Sequence, residues 1–411
     1  MTILLWTLAL SPLAIAAYAY ALYPALLRLM GTSAPALHGG AEMEEWPHIG
    51  ISLPVYNEEA QIRGAVESLL ALDYPRDRLH ILVISDASSD KTDDIVRSYA
   101  DQGVELLRMP KRGGKTVAET AGGLQLRGDI VVNTDASIRI RPDALKKLVR
   151  HFRDPAVGVA SGRDVSVGAA PTDANAGEAG YVGYEMGVRA LETRRGGIIG
   201  ASGCFYAIRS HLHTVPLPDH LSRDFASALI AREHGFRSVS VDDAVCLVPR
   251  TPSLQREYRR KVRTISRGMQ TLAHKHALLN PARYGRFAFM LWSHKIARWA
   301  VPPAAVIGAA TMAVLALGGS RLALLALLAA MPVLVLSVLG WYWPGSRMPR
   351  VISMCTAATA ANVAVLHAMV HAVAHTDPTW EPTRRQEVAD RGASGAPASA
   401  ATKQVAGINR S

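Results

Sequence analysis

The sequence predicts an α/β domain with a mostly parallel β-sheet, flanked on both its N- and C-terminal sides by membrane-spanning helices. Three observations support this prediction. Uncharged apolar runs lie at the start and toward the end of the 411 residues. Between them, short apolar runs alternate with amphipathic stretches, which is typical of a parallel sheet covered by helices on both faces. The net charge of +11 is concentrated in one segment, next to the C-terminal apolar runs.

Residues 1–28 are predicted to form an N-terminal transmembrane anchor. No charged side chain lies between Thr2 and Leu27, and about 20 apolar residues are enough for a helix to cross a bilayer core. A cleaved signal peptide is the alternative, but a basic n-region is missing and the apolar stretch is longer than the usual ~7–15 residues. Arg28 follows directly, which favours a cytoplasmic location for the domain that comes next.

Four strands are predicted in residues 42–250, the soluble domain. They are Ile49–Val55, the run HILVIS that ends before Asp86, Val104–Met109 and Ile130–Asn133. The first three are each followed by a predicted helix. The first helix has an apolar face made of Ile62, Val66, Leu69 and Leu70. The second helix begins near Asp90, and the third covers Thr116–Arg127.

Polar residues follow three of these strands where they end, at Val55–Glu58, Asp86 and Asp135. The carboxyl ends of parallel strands meet at one edge of a sheet, and ligands bind there. A lone acidic residue at a strand end is also typical of a turn or a helix cap, so the three together carry more weight than any one. A P-loop is not present, because Met109 stands where that motif has its first Gly. The dinucleotide-binding motif GxGxxG is not present either, because YNEE follows the first strand.

Residues 251–298 are predicted to form basic interfacial helices. Eleven Lys or Arg and one acidic residue lie between Thr251 and Ala300. Nucleic acid is one partner for such a charge, but the position next to a membrane span favours the anionic bilayer surface. We therefore expect a lipid bilayer and no nucleic acid as partner, and the sequence indicates no oligomeric state.

Residues 299–376 are predicted to form the C-terminal transmembrane helices. The uncharged runs are Trp299–Ser320, Leu322–Ser346 and Val351–Thr376. Arg321 alone separates the first two, which predicts a tight helical hairpin. The third run is weaker because three histidines lie four residues apart, at His367, His371 and His375. They face either other helices or a functional site in the membrane.

The remaining residues, 377–411, form a polar tail. From about residue 391 the tail is rich in Ala, Ser and Gly, a composition with too little apolar surface to fold. We expect this tail to be disordered, and the sequence leaves its side of the membrane open.

Seven motifs, in order, resemble those of the membrane-bound family 2 glycosyltransferases, the relatives of cellulose, chitin and hyaluronan synthases. They are PVYNEE, SDASSDKT, GGK, NTDAS, GASGCFYAIRS, LSRDF and QREYRRKVRTISRG, between Ile49 and Arg267. SHKIARW and the apolar runs after it are also similar to the family. The resemblance implies a GT-A fold and a nucleotide-diphospho-sugar donor.

The resemblance also implies a donor site. Its residues would be Pro54, Val55, Tyr56, Asn57, Glu58, Asp86, Lys115, Asp135, Arg260 and Arg263. Asp86 would contact the base or ribose, and Asp135 would lie beside the diphosphate and bind a divalent metal, Mg²⁺ or Mn²⁺. A metal or basic side chains would stabilise the diphosphate as it leaves.

On the acceptor side, the resemblance assigns Asp224 as the catalytic base and places Gly203 and Cys204 of the GASGC loop against the acceptor. Inverting transfer needs a carboxylate that removes a proton from the attacking hydroxyl. From the residues alone, Asp224 is equally well explained as a cap of the helix that SRDF begins.

Two residues depart from the family pattern. Where the family has Asp-x-Asp, the second acidic position is Ser137, and a hydroxyl is a weaker ligand for a hard cation than a carboxylate. Where processive synthases carry QxxRW, this chain has RKVRT, so that Thr264 replaces the Trp. The first departure predicts weak metal binding before the donor arrives, and the second leaves processive synthesis open.

The sequence thus predicts an inverting glycosyltransferase that acts on a lipid-linked or polysaccharide acceptor at the cytoplasmic face of the cell membrane, in cell-envelope or extracellular polysaccharide synthesis. One alternative is a polyprenyl-phosphate sugar transferase, which the basic segment would suit. Another is a non-catalytic subunit of a membrane complex. The acids Asp86, Asp135 and Asp224 argue against the latter, and Ser137 argues for it.

Overall fold

The computed structural model describes residues 2–31, 43, 45–167, 176–249, 253–343 and 348–374. The predicted disordered tail, residues 377–411, and His375 of the histidine series lie outside the described residues. The helices of the described chain are α1 Thr2–Leu29, α2 Ile62–Leu70, α3 Thr92–Arg97, α4 Lys115–Gly123, α5 Ala144–Val149, α6 Ala176–Arg194, α7 Ser210–His213, α8 Arg223–Glu233, α9 Leu254–His274, α10 Pro281–Tyr284, α11 Arg286–Leu317, α12 Arg321–Trp341 and α13 Arg350–Ala374.

One mixed sheet is built from the strands of the described residues. They are β1 Ile49–Val55, β2 Leu79–Ser85, β3 Val104–Arg108, β4 Ile130–Thr134, β5 Arg139–Ile140, β6 Val157–Val167, β7 Phe205–Arg209 and β8 Arg237–Pro249. Their order in the sheet is β3-β2-β1-β4-β7-β6-β8-β5. The strands β3, β2, β1 and β4 run parallel, and so do β6 and β8, whereas β7 is antiparallel to both of its neighbours. The predicted mostly parallel sheet is confirmed.

The sheet is buried on both faces, and β4 shows why the sequence folds this way. Val132 faces a core with Ile62 and Val66 of α2, whereas Val131 faces a second core with Ile230 of α8. Successive side chains of a strand point to opposite faces, so a strand covered by helices on both sides has consecutive apolar residues, as Ile130, Val131 and Val132 are here. Burying each such side chain contributes about 1.5–3 kcal/mol.

Four helices of the described chain are long and apolar enough to cross a membrane: α1, α11, α12 and α13. Gly318, Gly319 and Ser320 join α11 to α12, which gives the tight hairpin predicted around Arg321. Helix α1 packs on α11, where Gly308 admits Pro12 closely: a Cβ at position 308 would stand 2.9 Å from Pro12 Cγ. Glycine is thus required at this crossing because the two backbones approach each other.

The first of the C-terminal apolar runs, Trp299–Ser320, lies mostly in a helix that begins earlier than the sequence suggested. Helix α11 is continuous from Arg286 to Leu317, so the boundary predicted between residues 298 and 299 falls inside one helix. A π-turn, Trp292–Ile296, interrupts its regular hydrogen bonding; such turns are frequent at functional sites. His294 and Arg298 of this part pair with Glu185 of α6 rather than ending the helix, and composition alone does not distinguish the two arrangements.

Candidate active site

A cavity of about 450 Å³ opens at the carboxyl ends of β1 and β4 and extends to the membrane-proximal helices α9 and α11. The predicted site residues on its wall are Pro54, Glu58, Lys115, Asp135, Gly203, Cys204, Asp224, Arg260 and Arg263. They come from segments up to 209 residues apart in the chain, from Pro54 to Arg263, and the fold brings all nine to one space.

Four of the predicted donor residues do not reach this wall. Val55 is fully buried and packs in the sheet core. Tyr56 lies under Arg112, whose guanidinium carbon is 3.9 Å from the ring centroid. The Asn57 amide oxygen accepts a hydrogen bond of 2.8 Å from Ser89 N. Asp86 is fully buried as well. A role for these residues in nucleotide binding stays a prediction.

The Asp86 carboxylate holds the loop that begins α4. Gly113 N donates to Asp86 Oδ1 at 2.7 Å, and Gly114 N donates to Asp86 Oδ2 at 2.8 Å. Gly114 has φ +91°, which glycine adopts without steric cost. Lys115, the first residue of α4, follows directly. In this structure the carboxylate therefore positions Lys115 from a distance, through the backbone of two glycines.

Lys115 lies among three carboxylates of the site. Its Nζ is 2.6 Å from Asp135 Oδ1 and 3.8 Å from Glu119 Oε1, and it donates to the Gly203 carbonyl at 3.4 Å. Burial acts to lower the pKa of Lys115, but Asp135, Glu119 and Asp224 outweigh it and raise this pKa. The lysine is consequently a fixed positive charge at the end of β4.

Glu119 is a site residue that the sequence reasoning missed. Its side chain is almost fully buried and lies 4.0 Å from Arg223 Nε. Burial raises the pKa of Glu119 to about 6, against the opposing effect of Lys115 and Arg223. The available signal was the spacing, since Glu119 follows Lys115 by four residues and shares its helix face.

Asp224 is the second residue of α8 and points into the cavity. Its Oδ1 accepts hydrogen bonds from Ser222 Oγ and, at 2.8 Å, from Phe225 N. Amide groups at a helix N-terminus stabilise a negative charge. The N-cap residue of α8 is Ser222, so Asp224 is not the cap itself, although it accepts from one amide of the first turn. Its other oxygen, Oδ2, lies beside Gly203 on the cavity wall.

The GASGC loop, Gly200–Cys204, is held in place by Asp164. Ser202 Oγ lies 2.7 Å from both carboxylate oxygens of Asp164, and Cys246 Sγ donates to the same group at 3.3 Å. Ser202 N donates to Ser161 Oγ at 2.8 Å. The loop therefore presents Gly203 to Lys115 and Asp224 from a rigid base.

The side of the cavity next to the membrane carries a buried charge network that the sequence analysis did not assign. His294 in the π-turn of α11 is 2.6 Å from Glu192 Oε1 and 2.7 Å from Glu185 Oε1. Arg298 Nη1 is 2.7 Å from Glu185 Oε2. Burial would raise the pKa of Glu185, but His294 and Arg298 hold it well below its usual value. The motif SHKIARW, which contains His294 and Arg298, was the part of the sequence that could have indicated this network.

Helix α9 brings its arginines to the cavity from the other side. Arg260 forms a two-point ion pair with Glu257, at 3.0 and 2.6 Å, and one turn later Arg263 also lines the wall. Thr264, at the position of the family's Trp, lies on the same wall. Trp299 of α11 nonetheless supplies an aromatic ring close to α9. A Cβ placed at Gly268 would stand 3.6 Å from this ring.

The fit of a divalent metal rests on Asp135. Its side chain is 30% exposed toward the cavity, while Ser137 is 5% exposed and lines the same wall. Among the residues that the structure describes, no group of three His, Cys, Asp or Glu side chains is arranged as a metal site. One carboxylate and one hydroxyl suit Mg²⁺ or Mn²⁺ only when phosphate oxygens complete the shell.

Comparison with known sequences agrees with this geometry. Residues 51–213 match the family described as "Glycosyl transferase family 2". The "Probable glycosyltransferase YdaM" of Bacillus subtilis is 36% identical over 100 residues, which are 23% of this chain and 24% of that protein. An "N-acetylglucosaminyltransferase" of Bradyrhizobium elkanii is 30% identical over 124 residues, 29% of this chain and 68% of that protein. The chain spans between 24% and 36% of the length of the first three curated relatives it matches.

A solved structure matches over nearly the whole chain. It is "Mannosyltransferase PcManGT from Pyrobaculum calidifontis in complex with GDP-Man and Mn2+", with a TM-score of 0.68 and 23% sequence identity. The match covers 90% of this chain and 100% of that one. The two proteins share the GT-A fold.

Proposed function

Because this chain belongs to glycosyl transferase family 2, we propose that it transfers a sugar from a nucleotide-diphospho-sugar to an acceptor at the cytoplasmic face of the cell membrane, with inversion at the anomeric carbon. The observation that carries the proposal is one cavity in which Lys115 and Asp135 lie at the sheet edge, Asp224 faces the same space, and the far wall is a candidate membrane helix.

The donor end of the cavity is the edge of the sheet. Asp135 and Lys115 carry opposite charges and form an ion pair there, and Arg263 of α9 lies on the facing wall. When a divalent metal is bound beside Asp135, it supplies positive charge that neutralises the leaving diphosphate. Lys115 adds a fixed positive charge that stabilises the leaving group. Pro54 and Glu58 border this end.

The acceptor end lies beyond Asp224. An acceptor hydroxyl next to Asp224 Oδ2 would give its proton to that oxygen as the hydroxyl oxygen bonds to the anomeric carbon, and the nucleoside diphosphate would leave with the electron pair of the broken bond. Gly203 leaves the carboxylate accessible because it has no side chain. Cys204 borders the same space.

The membrane location favours an acceptor that is lipid-linked, or a glycan made at the membrane, and hence a role in cell-envelope or extracellular polysaccharide synthesis. Helices α9 and α11 form part of the wall, so an acceptor on the bilayer surface reaches Asp224 without leaving the membrane. A free hydroxyl of a polysaccharide would use the same approach. The alternative without catalysis is a non-catalytic subunit that has kept the fold.

The test is a donor screen with the full-length protein purified in detergent. UDP- and GDP-sugars are offered with Mg²⁺ or Mn²⁺ and a membrane-lipid extract, and nucleotide release is measured. We expect release with one donor, and loss of that release in Asp224→Asn. No release with any donor, or wild-type release in the variant, would refute the catalytic function and favour the non-catalytic subunit.

A further inference from the structure

Three cations on the membrane side of the cavity have no carboxylate partner within the described residues. They are Arg189 of α6, Arg267 of α9 and Lys295 of α11, and all three line the cavity wall. Arg189 is 5% exposed. A buried charge is normally paired with an opposite charge, because removing it from water is costly. Arg267 and Lys295 are half-buried. Three cations without an ion pair around one space therefore indicate an anionic ligand.

The partners of these cations are neutral. Arg189 donates to Ser161 Oγ at 2.5 Å and approaches Met186 Sδ at 3.9 Å, and its Nε has no hydrogen-bond partner within the described chain. Arg267 Nε is also buried without a partner there. The Lys295 ammonium lies 5.2 Å from the centroid of the Phe225 ring, next to Asp224 in sequence.

Asp242 lies within electrostatic reach of Arg189 without an ion pair between them. Two further acidic groups are near, but other cations already engage them. Both oxygens of Glu185 contact His294 and Arg298. Glu192 Oε1 accepts hydrogen bonds from Tyr23 and His294 at 2.6 Å each. Both carboxylates and Arg189 lie within electrostatic reach of Lys295. Neither carboxylate comes within 4.0 Å of the three cations. The positive charge of Arg189, Arg267 and Lys295 therefore remains available to a ligand.

The place of the three cations indicates where the anion comes from. Lys295 lies in the π-turn of α11, a few residues before the helix becomes fully apolar. Arg267 is next to Gly268, which Trp299 approaches. Trp and basic side chains at this point of a membrane helix lie at the level of the lipid headgroups. Arginine suits a phosphate group because its donors bind two oxygens at once.

We propose that Arg189, Arg267 and Lys295 form a subsite that binds the phosphate group of a membrane lipid, on the membrane side of Asp224. Binding of the lipid phosphate does not depend on the proposed function. Only the assignment of this lipid as the sugar acceptor rests on it. The subsite is separate from the donor end, where Lys115 and Asp135 face the diphosphate.

The test is equilibrium binding by calorimetry, with the full-length protein in a non-ionic detergent. The probes are geranyl phosphate, geraniol and inorganic phosphate. We expect geranyl phosphate to bind, and Lys295→Met to weaken its binding by about tenfold to a hundredfold, as expected for loss of a charge-assisted hydrogen bond. Lys295→Arg should restore most of the affinity. Geraniol should bind weakly, and equally to wild type and variant.

The matched control is Arg286→Met, which removes an exposed cation at the start of α11, outside the cavity. It should leave geranyl phosphate binding unchanged. An equal loss in Arg286→Met would mean non-specific attraction and would overturn the proposal. Thermal unfolding of each variant checks that the fold is intact, and failure of Lys295→Arg to restore binding in a folded protein would also overturn it.

Two further outcomes separate this proposal from its neighbours. Inorganic phosphate that binds as tightly as geranyl phosphate would overturn the lipid source. An equal loss of nucleotide binding in Lys295→Met would assign the cations to the donor and overturn the subsite. Lys295-dependent binding of geranyl phosphate without turnover of any donor would support the subsite while refuting the proposed function.

Discussion

The carboxylate of Asp224 lies directly against Gly203: a Cβ added at position 203 would stand 2.5 Å from Asp224 Oδ2. The same glycine offers its carbonyl to Lys115 at 3.4 Å. One residue without a side chain thus separates the proposed base from the lysine at the donor end. This arrangement explains why the GASGC loop has glycine there, and it makes Gly203 a direct test of the geometry.

Replacing Gly203 by Ala should lower the rate of transfer by roughly tenfold to a hundredfold, because the new methyl group displaces the Asp224 carboxylate and a shift of about 1 Å has such an effect. The measurement is kcat together with the midpoint of thermal unfolding. Gly187→Ala is the control, since a Cβ there meets nothing within 4 Å. A wild-type kcat in Gly203→Ala would show that Asp224 does not need its present position.

Metal binding should depend on the donor. Asp135 is the one carboxylate available at the strand end, and Lys115 pairs with it at 2.6 Å. We expect the Mn²⁺ affinity of the donor-free protein to be at least roughly tenfold weaker than in the presence of nucleoside diphosphate, because the phosphate oxygens complete the shell. Titration calorimetry measures both. Tight binding without nucleotide that Asp135→Ala abolishes would contradict this account.

A second acid should strengthen that binding. Ser137→Asp restores the two-carboxylate pattern at the end of β4, and hard cations prefer charged oxygens. We expect donor-free Mn²⁺ affinity to rise in this variant, while Ser137→Asn, which matches it in size, should leave the affinity unchanged. An equal rise in both variants would mean that charge at position 137 is irrelevant.

Stability should fall with rising pH through Glu119. Its pKa in the folded protein is about 6, above its ordinary value of 4.5, because of burial. A raised acid pKa gives stability that is fully present below 4.5 and is lost as the pH rises through 6. The difference corresponds to about 2 kcal/mol in the free energy of unfolding.

Glu119→Gln removes this titration while keeping the shape of the side chain. The stability of the wild type relative to Glu119→Gln should therefore decrease by about 2 kcal/mol between pH 4 and pH 7. Thermal unfolding in detergent across this range gives the difference. Parallel curves for the two proteins would show that Glu119 does not titrate as its burial implies.

The first half of the sheet could be predicted from the sequence, and the second half could not. Strand β1 is buried throughout and mostly apolar, and it pairs in parallel with β2 and β4, so composition and spacing identify these strands. Strand β8 is interrupted by the exposed pair Asp242 and Asp243, and its pairing with β6 shifts register there. Such a strand depends on contacts distant in sequence, which no local pattern records.

The site divides in the same way. Asp135 was predictable because the carboxyl ends of parallel strands meet at one edge. The contact between Glu185 and His294 joins residues 109 positions apart, on a soluble helix and at the start of a membrane helix. Nothing in their spacing indicates it. Asp86 shows the reverse case, since its position was predicted but its carboxylate is engaged by the backbone of Gly113 and Gly114.

The central claim is that Asp224 is the base of a sugar transfer. Asp224→Asn keeps the size of the side chain and removes its ability to accept a proton. The most direct measurement is transfer rate together with donor binding in this variant, once the donor is known. The account predicts donor binding within about twofold of wild type and a transfer rate lowered by about a hundredfold to ten-thousandfold. Transfer at the wild-type rate would contradict it.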